Sequence, residues 1–178
     1  MMSPRMKLDV IQSNDAPWYA NGLQFTCQQC GNCCTGGPGY VWISEQEITR
    51  LAEFLKLSRE QTVRKYCRKV NGKISLKENR VASGNYDCIF LVEQRAAAGD
   101  GQRVVQPKRG CSIYPVRPLQ CRTWPFWDGN LRNPAAWERA SKGCYGMNQG
   151  RKFSLDEIVA LRYAKDWPQK PPTSLPNE

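Results

Sequence analysis

Three serines along the chain each stand three positions before a glutamate or glutamine, and apolar residues with helical spacing follow. The pairs are Ser44 with Glu47, Ser58 with Gln61, and Ser154 with Glu157. Such a pair satisfies two free N–H groups at a helix start, so each predicts a helix that begins just after the serine. A fourth, shorter helix is predicted over residues 133–142. Cys67 falls on the apolar face of the second helix, which indicates a buried core thiol rather than a metal ligand.

Short apolar or alternating runs predict strands between these helices. Residues 73–77 alternate polar and apolar side chains, as a half-buried strand does, and residues 40–43 form another short strand. Residues 88–92 are a continuous apolar run typical of a buried strand, and we expect residues 111–114 to pair with it across the polar loop 96–101. The pattern indicates an α+β fold with short antiparallel strands and three to four helices.

The length of 178 residues corresponds to one domain. We expect a flexible N-terminal arm over residues 1–20, a folded domain over residues 21–167 and a disordered, proline-rich tail over residues 168–178. No run approaches the ~20 apolar residues of a membrane span, and the N-terminus lacks the apolar stretch of a signal peptide. These features predict a cytoplasmic protein with no membrane partner, in a compartment where disulfides are rare.

Four of the nine cysteines crowd into eight residues, in the order Cys-x-x-Cys-x-x-Cys-Cys. They are Cys27, Cys30, Cys33 and Cys34. Crowded thiolates repel one another unless a cation neutralises them, so this spacing indicates a metal site. The chain has no histidine, which excludes His-based catalysis and mixed Cys/His zinc sites. Thiolate ligation points to zinc, iron–sulfur clusters or Cu(I) rather than to Mg or Ca.

Four more cysteines stand singly near turns or strand ends: Cys88, Cys111, Cys121 and Cys144. Together the eight match two four-thiolate sites, although a single four-ligand site with spare thiols fits as well. Because Cys33 and Cys34 are adjacent, we expect their side chains to project in different directions and to serve two centres, or one to ligate and the other to support. A disulfide scaffold is disfavoured by the odd cysteine count and the lack of an export signal.

The net charge is +10, from 26 Lys and Arg against 16 Asp and Glu. A basic balance of this size can favour nucleic acid or another anionic surface. The charges are dispersed in pairs and form no long basic block, so a solvated basic surface is the better interpretation. Nucleic acid therefore stays a possible but disfavoured partner.

Several segments resemble the YkgJ-type CxxCxxCC cysteine-cluster family, which is mostly bacterial and is described as a zinc- or iron-chelating domain. The similar segments are residues 25–34, residues 88–91, residues 111–126 with their Arg-Pro-x-x-Cys-Arg block, and residues 143–146. Ile89 and Tyr145 stand where that family commonly has proline. The resemblance implies a small metal-stabilised domain around a cysteine-rich site, with metal-ligand roles for eight cysteines: Cys27, Cys30, Cys33, Cys34, Cys88, Cys111, Cys121 and Cys144.

Two arginines flank Cys121 in the same block. The guanidinium groups of Arg117 and Arg122 either neutralise a net-negative thiolate site from its surroundings or are plain surface charges, and the sequence favours neither. Under the first interpretation they are the residues that contact the bound cofactor.

The spacing of the cysteines narrows the choice of metal but does not fix the metal or its role. Three evenly spaced cysteines with the others arriving singly are closer to an iron–sulfur pattern than to the paired knuckles of structural zinc. We expect iron, as a bound ion or in an iron–sulfur cluster, with zinc nearly as well supported, in a structural, metal-handling or electron-transfer role. One alternative is an enzyme, because a related cysteine architecture occurs in an iron–sulfur-dependent protein-lysine methylase of flagellin. The other is a zinc-stabilised nucleic-acid-binding module. No nucleoside-binding signature is present, which favours a non-enzymatic role.

Overall fold

A computed structural model describes residues 16–82, 84–94 and 108–164, which fold into six helices and nine short strands. Their order along the chain is β1 (Leu23–Phe25), β2 (Thr35–Gly36), α1 (Glu45–Leu55), α2 (Arg59–Tyr66), β3 (Cys67–Val70), β4 (Lys73–Leu76), β5 (Glu78–Arg80), β6 (Tyr86–Cys88), β7 (Leu91–Gln94), β8 (Lys108–Cys111), α3 (Leu119–Arg122), α4 (Asp128–Leu131), α5 (Pro134–Ser141), β9 (Met147–Phe153) and α6 (Leu155–Tyr163). The strands form small antiparallel sheets, in the orders β1-β9, β2-β6-β5, β3-β4 and β7-β8. The mixed α+β class is therefore confirmed.

The helices begin where the sequence places them. Ser44, Ser58 and Ser154 each accept a hydrogen bond from the backbone N–H three residues on, and the glutamate or glutamine there closes a complete capping box. The helix expected over residues 133–142 is α5, capped by the Asn133 side chain. The helix count was predicted too low, because α3 and α4 have four residues each and are too short to show an apolar period.

The run at residues 88–92 is not one strand. It contains the end of β6 and the start of β7, which belong to different sheets. Residues 89–90 form a turn between these strands, and the Phe90 side chain there is 3% exposed and packs in the core. The predicted pairing with the later cysteine segment is correct, since Leu91 lies opposite Cys111. That second strand ends at Cys111, and the loop at residues 96–101 lies outside the described residues.

Residues 40–43 make a single bridge, Trp42 with Ser75, rather than a full strand. The side chain of Gln120 lies along the other edge of this segment. The Gln120 amide accepts a hydrogen bond from the Trp42 N–H at 2.8 Å and donates one to the Tyr40 carbonyl at 3.0 Å. A glutamine side chain thus takes the place that a neighbouring strand would hold.

Two apolar clusters form the core. The first lies under α1 and the β3–β4 hairpin, and contains Ile43, Ile48, Leu51, Cys67, Leu76, Phe90 and Ile113. The second lies under α5, α6 and the β1–β9 pair, and contains Tyr19, Phe126, Leu131, Trp137, Met147 and Ile158. Cys67 is 5% exposed in the first cluster, as expected for a core thiol.

Packed structure begins before residue 21. Tyr19 is 4% exposed, and the Trp18 indole donates to the Leu131 carbonyl at 2.8 Å, so both residues of the expected arm belong to the second cluster. Residues 1–15 and 165–178 lie outside the described residues, and so does the expected tail. Within the described ranges, no helix is both long and apolar enough to cross a membrane.

Candidate metal centre

Eight cysteines that are scattered over the sequence line one cavity of about 80 Å³. They are the eight that the sequence singles out: Cys27, Cys30, Cys33, Cys34, Cys88, Cys111, Cys121 and Cys144. The walls between them come from both apolar clusters, for example from Ile113 of the first and from Phe25, which packs against the second. The ninth, Cys67, is absent from this lining. The structure thus separates the core thiol from the other eight.

The β1–β9 pair brings the first and last of these cysteines to the same place. The Thr26 N–H donates to the Gly146 carbonyl at 3.0 Å, one residue before Cys27 and two residues after Cys144. A side chain at Gly146 would put its Cβ 2.2 Å from the Thr26 carbonyl oxygen, so only glycine permits this approach.

Two further cavity cysteines lie at the ends of strands. Cys88 is the last residue of β6 and Cys111 the last of β8. Beside them, Asp87 accepts hydrogen bonds from the Thr35 hydroxyl and from the Arg109 guanidinium. This network ties β2, β6 and β8 together, and β2 directly follows Cys34.

Glu47 holds the short helix that carries Cys121. Its buried carboxylate accepts from the Ser44 N–H at 3.0 Å and, across 72 residues, from the Leu119 N–H at 2.6 Å. Glu47 thus closes a capping box and fixes the start of α3. Gln120, the second residue of α3, is held in addition by its hydrogen bonds to Tyr40 and Trp42. Sequence reasoning assigned Glu47 to the helix start alone and gave Gln120 no role. No local signal reveals either long-range contact.

Cys33 and Cys34 lie close together instead of pointing apart. Their sulfur atoms are 3.9 Å apart, near the roughly 3.8 Å expected between two ligands of one tetrahedral zinc ion with Zn–S bonds of about 2.3 Å. The Cys34 and Cys111 thiols also influence each other's pKa. Among the described residues, no three Cys, Asp or Glu side chains already surround a single ion position.

The pKa values of the cavity cysteines are shifted in different directions. Hydrogen bonding from Cys34 lowers the pKa of Cys33 and of Cys111 to about 7. The same contacts, led by that with Cys111, raise the pKa of Cys34. Burial raises the pKa of Cys88 to about 11 and also raises the pKa of Cys121. Without a cation, the cavity therefore favours some thiolates and opposes others.

Arg117 lines the cavity together with the thiols. Its guanidinium carbon is 3.7 Å from the centre of the Tyr114 ring, and its Nη1 donates to the Tyr114 carbonyl at 3.0 Å. Its charge lowers the pKa of Cys33, Cys111 and Cys121. Burial, followed by a hydrogen bond with Cys27, raises the pKa of the Tyr114 phenol.

Arg122 also lines the cavity but has a different partner. Its Nη2 is 3.5 Å from Glu47 Oε1, and its side chain is 44% exposed. Trp124 lines the same cavity, and its indole N–H donates to the Cys144 sulfur at 3.3 Å. No local signal in the sequence reveals this contact to sulfur.

Comparisons with known proteins agree with the motif. Residues 26–145 match the model of the family described as "CxxCxxCC: Putative zinc- or iron-chelating domain". The chain belongs to this family. It is also similar to "Uncharacterized protein MJ0661" of Methanocaldococcus jannaschii, at 29% identity over 126 residues. That match covers 71% of this chain and 53% of the relative, so the chain spans about half of the relative's length. No solved structure matches the chain significantly. Membership supports metal binding by this protein.

Proposed function

We propose that the protein chelates metal through the thiolates of the eight cavity cysteines, and that the bound metal holds its two apolar clusters together. The observation that carries this proposal is the convergence of the eight. They span residues 27 to 144 and come from the loop after β1, two strand ends, α3 and the turn before β9, yet they line one cavity. The eight are half-buried or exposed whereas Cys67 is buried, so packing of thiols in the core does not account for their convergence.

The thiol chemistry fits a soft or borderline cation. Eight sulfur donors without histidine suit zinc or iron and do not suit Mg or Ca. The 3.9 Å separation of Cys33 and Cys34 supports zinc or a directly bound iron ion, because both sulfurs can then ligate the same ion. A cuboidal iron–sulfur cluster takes one thiolate per iron and spreads its ligands apart. Arg117 offsets the negative charge that four thiolates around a divalent ion leave.

The position of the cavity supports a structural role. Cys88 and Cys111 pack against the first cluster and Cys144 packs against the second, so a shared metal would link the two.

An iron–sulfur protein for electron transfer is the second candidate. The Trp124 N–H that points at the Cys144 sulfur is the type of contact that adjusts the potential of a cluster. The even spacing of the first three cysteines agrees with it. In this case acid-labile sulfide would accompany the iron.

Elemental analysis of anaerobically purified protein tests the proposal. We expect zinc or iron in at least stoichiometric amount, with Cys67→Ala retaining the wild-type content as the matched control. Cys111→Ser should lose metal, because it removes a cavity sulfur. Absence of both metals from wild-type protein, in repeated preparations and after anaerobic reconstitution, would rule the proposal out.

Stripping the metal with a chelator tests the structural role. Because the free energy of metal binding adds to that of folding, the holoprotein should resist urea more than the apoprotein. Coincident urea melts of the two forms would contradict a structural metal while leaving chelation intact.

A further inference from the structure

The outer face of the β3–β4 hairpin carries aromatic rings next to cations. The register of β3 and β4 places Arg68 opposite Ser75, and the single bridge places Trp42 on the other side of Ser75. Residues directly opposite one another in antiparallel strands point to the same face. Arg68, Ser75 and Trp42 therefore form one row. Tyr40, two residues before Trp42, belongs to the same face.

The inner face of these strands belongs to the core. Cys67, Leu76 and Ile43 are members of the first apolar cluster, and Leu76 also lines the cysteine cavity. Two backbone hydrogen bonds support the pairing: the Leu76 N–H donates to the Val41 carbonyl at 2.8 Å, and the Ile43 N–H donates to the Ile74 carbonyl at 3.1 Å. The outer face is therefore separate from the candidate metal centre.

Flat groups are stacked on this outer face. The ring centres of Tyr40 and Trp42 are 5.0 Å apart with their planes at 23°, and the guanidinium carbon of Arg68 is 5.0 Å from the centre of the Tyr40 ring. Ser75 is buried among its neighbours, whereas Tyr40 is 49% exposed. Aromatic rings and guanidinium planes are the surfaces on which unpaired nucleobases stack.

Cations surround the stack. Residues 61–77 contain no Asp or Glu and six Lys or Arg: Arg64, Lys65, Arg68, Lys69, Lys73 and Lys77. The sequence shows these charges as pairs and single residues, but the fold brings them together. The Lys77 ammonium donates to the Arg64 carbonyl at 2.6 Å, and Lys69 and Lys73 flank the turn of the hairpin. Among the described residues, Arg68 alone of the six makes an ion pair, with Glu78.

We propose that this outer face binds single-stranded nucleic acid, with bases stacked beside Tyr40 and phosphates bound by the lysines of the hairpin. This function goes beyond metal chelation and does not depend on which metal is bound. The charge selects an anionic polymer as the partner. The stacked rings select among anionic partners, because acidic peptides and lipid headgroups offer no bases and a double helix keeps its bases stacked inside.

Fluorescence anisotropy of the metal-loaded full chain tests the proposal, with labelled oligouridylate and oligothymidylate as probes. We expect a Kd of about 1–100 µM at low salt. For three or four bound phosphates, the logarithm of the binding constant should fall with the logarithm of the salt concentration with a slope of about −2 to −3. Duplex RNA of the same length and poly-glutamate should bind more weakly.

A tyrosine variant tests the stacking. Tyr40→Ala should weaken binding about 10-fold and leave the salt slope unchanged, because it removes a ring and no charge. Tyr163→Ala is the matched control. Tyr163 is also exposed and has the Arg162 guanidinium over its ring, but it lies on α6, away from the hairpin. It should bind like the wild type.

A lysine variant tests the charge. Lys69→Gln combined with Lys73→Gln should reduce the magnitude of the salt slope by about 1.4, because two phosphate contacts are lost. Arg132→Gln combined with Arg139→Gln removes the same charge from exposed positions elsewhere and should keep the wild-type slope. Metal content and urea melts of each variant show whether it is folded.

Several results would overturn the proposal. They are wild-type protein that binds neither probe, equal affinity for duplex RNA or poly-glutamate, equal losses in the two tyrosine variants, and equal slopes in the two charge variants. The wild-type protein and the lysine variant decide the case even where Tyr40→Ala does not fold. Full metal content without nucleic-acid binding would overturn this inference alone, and absence of metal would overturn the proposed function instead.

Discussion

Replacing Glu47 by alanine should cost far more stability than its role as a helix cap would suggest. The side chain is 4% exposed, and its two oxygens accept from the Ser44 N–H and the Leu119 N–H. Leaving a buried N–H without a partner costs about 1–3 kcal/mol. We therefore expect Glu47→Ala to lower the free energy of unfolding by about 3 kcal/mol, a large part of the ~5–15 kcal/mol of a typical domain.

The chain contains a matched control. Glu157 holds the same position in the capping box of α6, but its side chain is 41% exposed and it makes an ion pair with Arg151. Water can replace these contacts, so Glu157→Ala should cost only about 1 kcal/mol. Glu47→Gln keeps one carbonyl oxygen as an acceptor and should fall between the two alanine variants.

Urea melts of the metal-loaded variants measure these differences, with the m-value checked for two-state behaviour. Equal losses for Glu47→Ala and Glu157→Ala would refute the reasoning, because the contact to Leu119 would then contribute nothing beyond the cap. A metal content that drops in Glu47→Ala but not in Glu157→Ala would further indicate that Glu47 positions the helix that bears Cys121.

Other outcomes follow from the cavity and the core. Cys67→Ala should retain all metal and lose about 1–2 kcal/mol of stability, measured by urea melts, because it leaves a small void in the first cluster. Burial raises the pKa of Cys67 to about 11, above that of an unfolded cysteine, so its contribution is complete below about pH 8.5 and is lost as the pH rises through 11. In urea melts from pH 8 to pH 11 the wild type should therefore lose roughly 2–3 kcal/mol of stability relative to Cys67→Ala and become the less stable of the two, and a constant difference would contradict this. Arg117→Met should weaken metal binding about 10-fold in a chelator competition, and Arg117→Lys should weaken it less because it keeps the positive charge. Unchanged metal affinity in both variants would show that Arg117 does not contribute to metal binding.

Local features of the fold could be predicted, and non-local ones could not. Each capping box is encoded within four residues, so all three helix starts are correct. The apolar run at residues 88–92 was misassigned because periodicity does not show that Phe90 turns into the core between two sheets. The short helix α3 is held by Glu47 and Gln120, and sequence spacing gives no sign of contacts over more than 70 residues.

For the site too, the residues involved could be predicted and their mutual contacts could not. Composition and resemblance single out eight cysteines and separate them from Cys67, and the structure places those eight in one cavity. Which sulfurs are neighbours depends on chain geometry. The expectation that the Cys33 and Cys34 side chains project in different directions was wrong, since their sulfurs lie 3.9 Å apart. Their assignment to one centre or two stays a prediction. The preference for iron over zinc stays a prediction, as do the ligand roles.

The contact between Thr26 and Gly146 also sets an order of events during synthesis. Cys27 leaves the ribosome 117 residues before Cys144, so the wall that contains Cys144 is made long after the cysteine loop. The cysteines of this loop therefore stay reduced and exposed to solvent while the intervening residues are made and fold. Any metal that it captures in this interval is held by a partial set of thiols. Thiol-protecting conditions during translation would thus matter more for this protein than for one whose cysteines all lie in a single short segment.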